Sequence, residues 1–304
     1  MKELFLEKLF VKYKIDFVKI RKISYTLSII AIIVSFLSII FQKFNIGIDF
    51  KGGVVIHLKK SNDVKIGFIR DSLSKINIGN IIIQEIGTDS RNLEIKIATD
   101  EESLLLHKID LIKKTLKEKI PDIVEYQKID FIGPQLGKQM IKSGLIAILI
   151  ALLGIMLYIW IRFEWYFALG ALLMLIHNVL LSLGFASILQ LDFNLSTVAA
   201  ILTILGYSVN DIVVVYDRIR ENLGKFTIYD ISHIINISIH DTLSRTIITS
   251  FTTLLANISL ILFVGKAVES FGLLVFIGII IGTYASIFIS GPILILLRNI
   301  SKNN

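Results

Sequence analysis

Two ionisable side chains, Asp211 and Arg245, lie in or at the edge of long apolar segments. A charged group inside a membrane is costly, so it normally faces protein or water and often serves a function. If the two segments are antiparallel neighbouring helices, Asp211 and Arg245 lie at similar depth. Burial then favours the neutral carboxyl group, whereas a nearby guanidinium favours the charged carboxylate. We therefore interpret the pair as a proton-coupling site.

Polar residues near this pair predict either a proton relay or a polar helix-packing face. Arg245 and two following threonines are spaced at i, i+4, which places them on one side of a helix. A polar face of that length belongs against another helix or a hydrated path rather than lipid. The predicted set is His177, Asn178, Asn210, Thr249 and Thr253.

Both ionisable residues also have plainer interpretations, which the sequence leaves open. Asp211 fits a helix-end acid that reaches interfacial water. Arg245 fits an ordinary arginine at the cytoplasmic end of a span, where basic residues are common. His57 and His107 have no carboxylate or second histidine at ligand spacing. We interpret these two histidines as structural or solvated residues.

The sequence carries no motif for nucleotide or metal chemistry. There is no G-x-x-x-x-G-K-[ST] segment to cradle phosphates. The absence of cysteine excludes disulfides, zinc–cysteine sites and iron–sulfur clusters. We therefore expect no enzymatic activity, no cofactor and no metal site, and we expect an ion gradient to be the energy source.

Long uncharged apolar runs define the class of this 304-residue chain. Its residues are 54% hydrophobic and only 19% charged, and its mean hydropathy is +0.73. Each run is long enough to cross a hydrocarbon core about 30 Å thick. The expected transmembrane helices are 23–41, 141–161, 165–189, 194–216, 245–265 and 271–297.

Basic residues predict the orientation of these spans. The segment 1–22 is rich in lysine and arginine, so we place it in the cytoplasm together with the tail 299–304. The remaining short loops are consistent with cytoplasmic termini, which leaves residues 42–140 outside. The net charge of +7 fits this membrane bias. It does not suggest nucleic acid, because no basic patch with interleaved aromatic residues is present.

Residues 42–140 predict an inserted α+β domain between the first two spans. The segments 53–59, 81–86, 93–98 and 124–131 have strand patterns. The segments 64–76 and 101–120 have helical spacing. The order βαββαβ predicts a ferredoxin-like domain.

Several motifs in this order resemble the SecD/SecF family. G-x-D-F-x-G-G follows the first span, Gly-Pro precedes the second, and a Gly-Tyr-Ser-Val-Asn-Asp segment lies in the fourth. The matching positions are Gly47, Asp49, Phe50, Gly52, Gly53, Gly133, Pro134 and Gly206. The match covers essentially the whole chain. The small outer domain resembles the SecF branch rather than SecD, whose outer region is larger.

The resemblance implies an auxiliary subunit of the Sec preprotein translocase that uses the proton gradient to promote protein export across the bacterial inner membrane. It implies a SecD-like six-span partner, a SecYEG-type translocon and a translocating preprotein as partners. It also ties Asp211 and Arg245 to proton conduction. The family usually has His-Asp where this chain has His177-Asn178, which removes a titratable group. Three alternatives remain. The coupling ion could be sodium. The chain could also be half of a proton-driven exporter of lipids or hydrophobic small molecules, or a purely structural assembly factor.

Overall fold

Long helices dominate the computed structural model, which describes residues 15–60, 66–74, 81–85, 92–98, 105–119, 123–226, 228–264 and 268–303. Residues 1–14 of the predicted basic tail lie outside this part. In chain order the elements are α1 (Phe17–Phe41), β1 (Asn45–Ile46), α2 (Ile48–Lys51), β2 (Gly53–Lys60), α3 (Ile66–Ser74), β3 (Ile81–Glu85), β4 (Asn92–Ala98), α4 (Leu105–Lys119), β5 (Ile123–Ile132), α5 (Pro134–Arg162), α6 (Trp165–Ile188), β6 (Asp192–Phe193), α7 (Leu195–Lys225), α8 (Ile231–Val264), α9 (Glu269–Phe288) and α10 (Ser290–Asn303).

Six helices in the described ranges, α1, α5, α6, α7, α8 and α9, are long and apolar enough to cross a membrane. Helices α6, α7 and α9 bury the largest share of their apolar windows, whereas α1, α5 and α8 leave most of theirs exposed. Exposed apolar side chains such as Leu145 and Phe263 suit a lipid-facing surface. The chain is therefore a polytopic helical membrane protein, as predicted.

Glycine permits close helix contacts at the centre of this bundle. A Cβ on Gly278 of α9 would collide with the Ile204 side chain of α7. A Cβ on Gly184 of α6 would collide with Ser35 of α1. Small residues serve this purpose in membranes because helices there associate through close packing and not through water exclusion.

The last predicted span, 271–297, consists of two helices. Helix α9 ends at Phe288, and α10 begins at Ser290. Proline has no N–H, and its ring clashes with the carbonyl four residues earlier, so Pro292 prevents α9 from continuing unbroken. The Tyr216 hydroxyl donates to the Ser290 carbonyl over 3.4 Å at this break.

The inserted segment contains a four-stranded sheet in the order β3-β4-β2-β5, with every neighbouring pair antiparallel. Along the chain, β2, α3, β3, β4, α4 and β5 follow the predicted order. The helices pack on the sheet through one apolar cluster, which includes Ile69 of α3, Ile112 of α4 and Ile56 of β2. This core buries the alternate residues of each strand, as their period-two pattern predicts.

His57 of β2 is less isolated than its sequence neighbours suggested. Its Nε2 lies 4.0 Å from a Glu94 carboxylate oxygen and 3.7 Å from one of Asp130. These acids come from β4 and β5, which flank β2 in the sheet. Strand pairing brings them together, so no spacing along the chain could reveal them. The side chain of His107 lies outside the described part of the chain.

Candidate functional site

Asp211 is buried in the helix bundle, with 3% of its surface exposed. Its Oδ2 atom has no hydrogen-bond partner among the described residues. It is held by α7, whose first turn is closed by a capping box between Asn194 and Thr197. A buried carboxylate without a partner is costly in its charged form.

Arg245 lies on α8 with its side chain exposed. It interacts electrostatically with Asp211. Among the described residues, however, it has no ion pair within 4.0 Å. The structure therefore brings the two residues into one region without joining them in a salt bridge. Their proposed role in proton coupling stays a prediction.

The polar residues of α8 divide into a buried row and a partly exposed row. Thr246 and Ser250 are only 2% and 4% exposed. Thr249 and Thr253, which were predicted to contribute, donate to backbone carbonyls of their own helix, as Ser250 also does. The buried row therefore forms the side of α8 that contacts its neighbours.

Ser250 links three helices through hydroxyl groups. The Tyr207 hydroxyl of α7 donates to Ser250 Oγ over 2.9 Å. Ser250 Oγ also lies 2.7 Å from Thr283 Oγ1 of α9. Tyr207 and Thr283 were not among the residues predicted for this site. The sequence does show hydroxyl residues at helical spacing within the apolar runs. It does not show which of them pair with one another across helices.

A second polar cluster joins α6 to α7. Asn178 is fully buried, and its Nδ2 donates to Ser208 Oγ over 3.0 Å. The Asn178 Oδ1 atom lies 3.1 Å from Nδ1 of His177. His177 Nε2 has no partner in the described part of the chain. Gly282 of α9 lies directly against this cluster, because an added Cβ would be 2.8 Å from Ser208 Oγ.

Asn210 lies apart from both clusters, although it precedes Asp211 directly. Its side chain is exposed, as are Thr203 and Gly206 on the same face of α7. These positions follow i, i+3, i+7 spacing. The isolated chain thus presents a weakly polar stripe where the membrane would lie.

The N-terminal end of α7 is attached to the segment that follows α1. Strands β1 and β6 pair in parallel, with Asn45 opposite Asp192. Asp49 Oδ2 accepts from the Leu195 backbone N–H over 3.2 Å. The Phe50 ring contacts Phe193, with ring centroids 5.8 Å apart. The family-like motif therefore forms the joint between the outer segment and the helix that carries Asp211.

Other motif residues shape the backbone at the two connections to the inserted domain. Gly52 has φ of 87° and Gly53 has φ of 154°, a region that favours glycine. Gly47 donates its N–H to the Phe193 carbonyl over 2.9 Å. At the return connection, Gly133 is the N-cap of α5 and Pro134 occupies its first turn, where no N–H is needed.

The C-terminal end of α7 is held by ion pairs. Asp217 contacts Arg162 and Arg220, each over 3.0 Å. Arg218 contacts Asp241 of α8 over 2.7 Å. Individually, exposed pairs of this kind contribute about 0–1 kcal/mol. Together they connect α7 to α8 and to the end of α5.

Acidic and histidine side chains are not assembled for metal binding in the ranges that the structure describes. No group of three or more such residues has the required proximity there.

Comparisons with known proteins identify relatives over nearly the whole chain. Residues 111–300 match the family model of the protein export membrane protein SecD/SecF, C-terminal. A protein translocase subunit SecF of Rickettsia rickettsii is 53% identical over 95% of this chain and 93% of its own length. A SecF of Rickettsia bellii is also 53% identical, over 95% of each chain.

Solved structures share this fold. A crystal structure of SecDF, a translocon-associated membrane protein from Thermus thermophilus, aligns with 95% of the chain at a TM-score of 0.79 and 28% identity. SecDF in a super-membrane-facing form aligns with a TM-score of 0.73 and 29% identity. In both cases the present chain spans 39% of the SecDF chain.

Proposed function

Because this chain belongs to the SecF family of protein translocase subunits, we propose that it is an auxiliary subunit of the Sec preprotein translocase. It promotes protein export across the bacterial inner membrane and draws on the proton gradient. The names of the Rickettsia relatives and the likeness to SecDF support the export role. The chain itself carries no nucleotide-binding loop, so a gradient is the natural source of work.

The observation that carries proton use is the environment of Asp211. Its buried Oδ2 has no hydrogen-bond donor in the described chain, and Arg245 is not within ion-pair distance. Binding a proton removes the cost of an unpaired charge, whereas the approach of a guanidinium stabilises the charged carboxylate and favours release of the proton. Proton exchange at Asp211 thereby depends on how α7 and α8 are packed.

The joint at the outer end of α7 offers a path from Asp211 to the outer domain. Helix α7 is a continuous rigid element from Leu195 to Lys225. Its first turn is bound to Asp49, and β6 before it pairs with β1. Movement of α7 therefore moves the strand that leads into the outer domain. We propose that this domain has a ferredoxin-like fold and contacts the translocating preprotein.

The exposed polar stripe of α7 is an argument for a second membrane subunit. Thr203 and Asn210 lie on its surface, and Arg245 is exposed on neighbouring α8. Polar and charged groups of this kind are unfavourable against lipid. A SecD-like six-span partner would cover them, consistent with a chain that matches 39% of SecDF. A SecYEG-type translocon is the proposed third partner.

The test is export of a reporter preprotein in cells whose only copy of this subunit is the variant Asp211→Asn. The variant retains size and hydrogen bonding but cannot release a proton, so we expect normal abundance and loss of gradient-dependent export. The matched control is Asp217→Asn on the same helix, which removes the two exposed ion pairs with Arg162 and Arg220. Wild-type export by Asp211→Asn would reject the proton role.

Affinity isolation of the tagged chain tests the export role separately. We expect a SecD-like protein and translocon subunits to co-purify. Recovery of neither, together with lipid or drug export, would favour the half-exporter alternative.

We also propose that both termini are cytoplasmic and that the inserted domain is periplasmic. The chain lacks cysteine, so single cysteines report cleanly. Asp192→Cys should react with an impermeant thiol reagent from outside, and Lys225→Cys should not. The opposite pattern would reverse the orientation.

A further inference from the structure

A polar pocket of about 390 Å³ lies between the start of α1 and the start of α8. Its wall includes Lys19, Arg21 and Lys22 of α1 and Ser232, His233 and Asn236 of α8. The volume falls within the usual range of small-molecule sites, about 300–1,000 Å³. Asp211 is not among the residues that line the pocket, and the pocket takes no part in the function proposed above.

The two helices that form the pocket are fixed to each other. The Asn236 side chain accepts from the Val18 N–H over 3.2 Å and donates to Asp16 Oδ1 over 2.6 Å. Deeper along α8, His240 Nε2 lies 2.9 Å from the Ile15 carbonyl. The Phe17 ring packs on His240, with ring centroids 5.0 Å apart. The pocket is therefore a built feature of the fold.

The pocket lies at the boundary of the membrane. The uncharged apolar run of α1 begins at Ile23, directly after Lys22. A hydrocarbon core must start close to that point, since Lys19, Arg21 and Lys22 are disfavoured inside it. These three cations therefore lie at the depth of the lipid headgroups.

Lys19, Arg21 and Lys22 outnumber the two carboxylates of the wall, Asp16 and Asp230, so the formal charge of the pocket is +1 with His233 neutral. Lys19, Arg21 and Lys22 form no ion pair within 4.0 Å among the described residues. The Asp16 carboxylate is already occupied by Asn236 and by the Lys19 backbone N–H. Those hydrogen bonds hold the pKa of Asp16 below its usual value.

The start of α8 adds donors to the same space. Asp230 precedes this helix, and its carbonyl accepts from the N–H groups of His233 and Ile234. The first N–H groups of a helix lack partners within it, and this end carries partial positive charge. The Asp230 carboxylate is also part of the wall, and no described side chain forms a hydrogen bond or an ion pair with it.

We propose that this pocket binds the phosphate of an anionic phospholipid headgroup and that the lipid bridges α1 and α8. Cations at headgroup depth, between two helices, match the chemistry of a phosphodiester whose acyl chains extend along the apolar part of α1. Basic pockets between membrane helices bind anionic headgroups in this way.

The test uses native mass spectrometry of the full-length chain released from detergent, with added dioleoylphosphatidylglycerol or dioleoylphosphatidylcholine. We expect phosphatidylglycerol to bind preferentially. The double variant Arg21→Gln/Lys22→Gln should weaken its binding roughly 10- to 30-fold, as expected for two lost cations near the surface. The matched control Lys138→Gln/Lys142→Gln removes two exposed lysines from α5 near the other membrane boundary and should leave this binding unchanged.

A second variant separates charge from folding. Ser232→Glu places an acid in the pocket, while an acid in the first turn of a helix favours that helix. We expect unchanged or higher thermal stability and weaker phosphatidylglycerol binding. Equal binding of the two lipids, or unchanged binding by both pocket variants, would overturn the proposal. Full displacement of the lipid by inorganic phosphate at constant ionic strength would instead assign the pocket to a soluble anion and contradict the lipid.

Discussion

Asp49 accepts a hydrogen bond from the Leu195 N–H over 3.2 Å, so a residue of the outer connection closes the first turn of the helix that carries Asp211. Asn194 caps the same turn from within the chain. The carboxylate also lies at the positive end of the α7 dipole, where negative charge is favourable. The joint between the inserted domain and the bundle therefore includes a favourable electrostatic contact.

Replacing Asp49 tests this joint. Asp49→Ala removes the acceptor and should lower stability by about 1 kcal/mol, the usual value of a helix cap. Asp49→Asn keeps an acceptor oxygen and should lose less. Hydrogen exchange of the full chain should accelerate in the first turn of α7 and not at its inner end. The matched control Asp110→Ala, on the exposed surface of α4, should change neither quantity, and an equal effect there would contradict the assignment.

A substitution at Gly137 of α5 tests the close approach of α2 to α5. An added Cβ would fall on the backbone carbonyl of Phe50. Backbone yields less readily than a flexible side chain, so we expect Gly137→Ala to destabilise the chain by roughly 1–3 kcal/mol. The control Gly154→Ala lies on the same helix with no atom within 4 Å of its new Cβ. It should be neutral or slightly stabilising, and equal unfolding temperatures for the two variants would contradict the tight contact.

Substitutions at Asn178 test how much the buried polar cluster contributes to stability. Asn178→Leu leaves Ser208 and the Nδ1 atom of His177 without a partner, and each such group costs about 1–3 kcal/mol. We expect a clear loss of thermal stability. Asn178→Asp retains an acceptor for both groups and should cost less than leucine. Asn210→Leu, exposed on α7, serves as the control in the purified chain, and a similar loss there would argue against a special role for Asn178.

The contribution of Asp192, which lies outside the membrane spans, to folding stability should depend on pH. Burial raises the pKa of its carboxyl, which Lys96 opposes and Glu269 reinforces. The folded chain thus favours the neutral acid, so this residue contributes most at low pH and its contribution is lost as pH rises through the folded pKa. Asp192→Asn stays neutral and can still accept from Asn45. Its unfolding temperature should exceed that of the unchanged chain at pH 8, with the gap shrinking toward a pH of about 4; a gap that widens on acidification would contradict this sign.

The sequence by itself determined the class of the protein, because the hydrophobicity of a helix is a property of consecutive residues. Each apolar run overlaps one of the six long helices, although the last run extends into α10, and alternation along the inserted segment agrees with the strands of its sheet. Ordered motifs led to the SecD/SecF family, which the comparisons confirm. The sequence did not reveal that α8 begins at Ile231, because the first residues of this helix are too polar to resemble a transmembrane span.

Only the tertiary structure decided which polar residues meet. Asn210 and Asp211 are neighbours in sequence, yet one is exposed and the other buried, because successive helical residues point in different directions and packing selects the inner one. The same applies to Tyr207 with Ser250 and to Asn178 with Ser208, which lie on different helices. Such contacts depend on the rotation and depth of each helix in the bundle, and those are set by the shapes of its neighbours rather than by local periodicity.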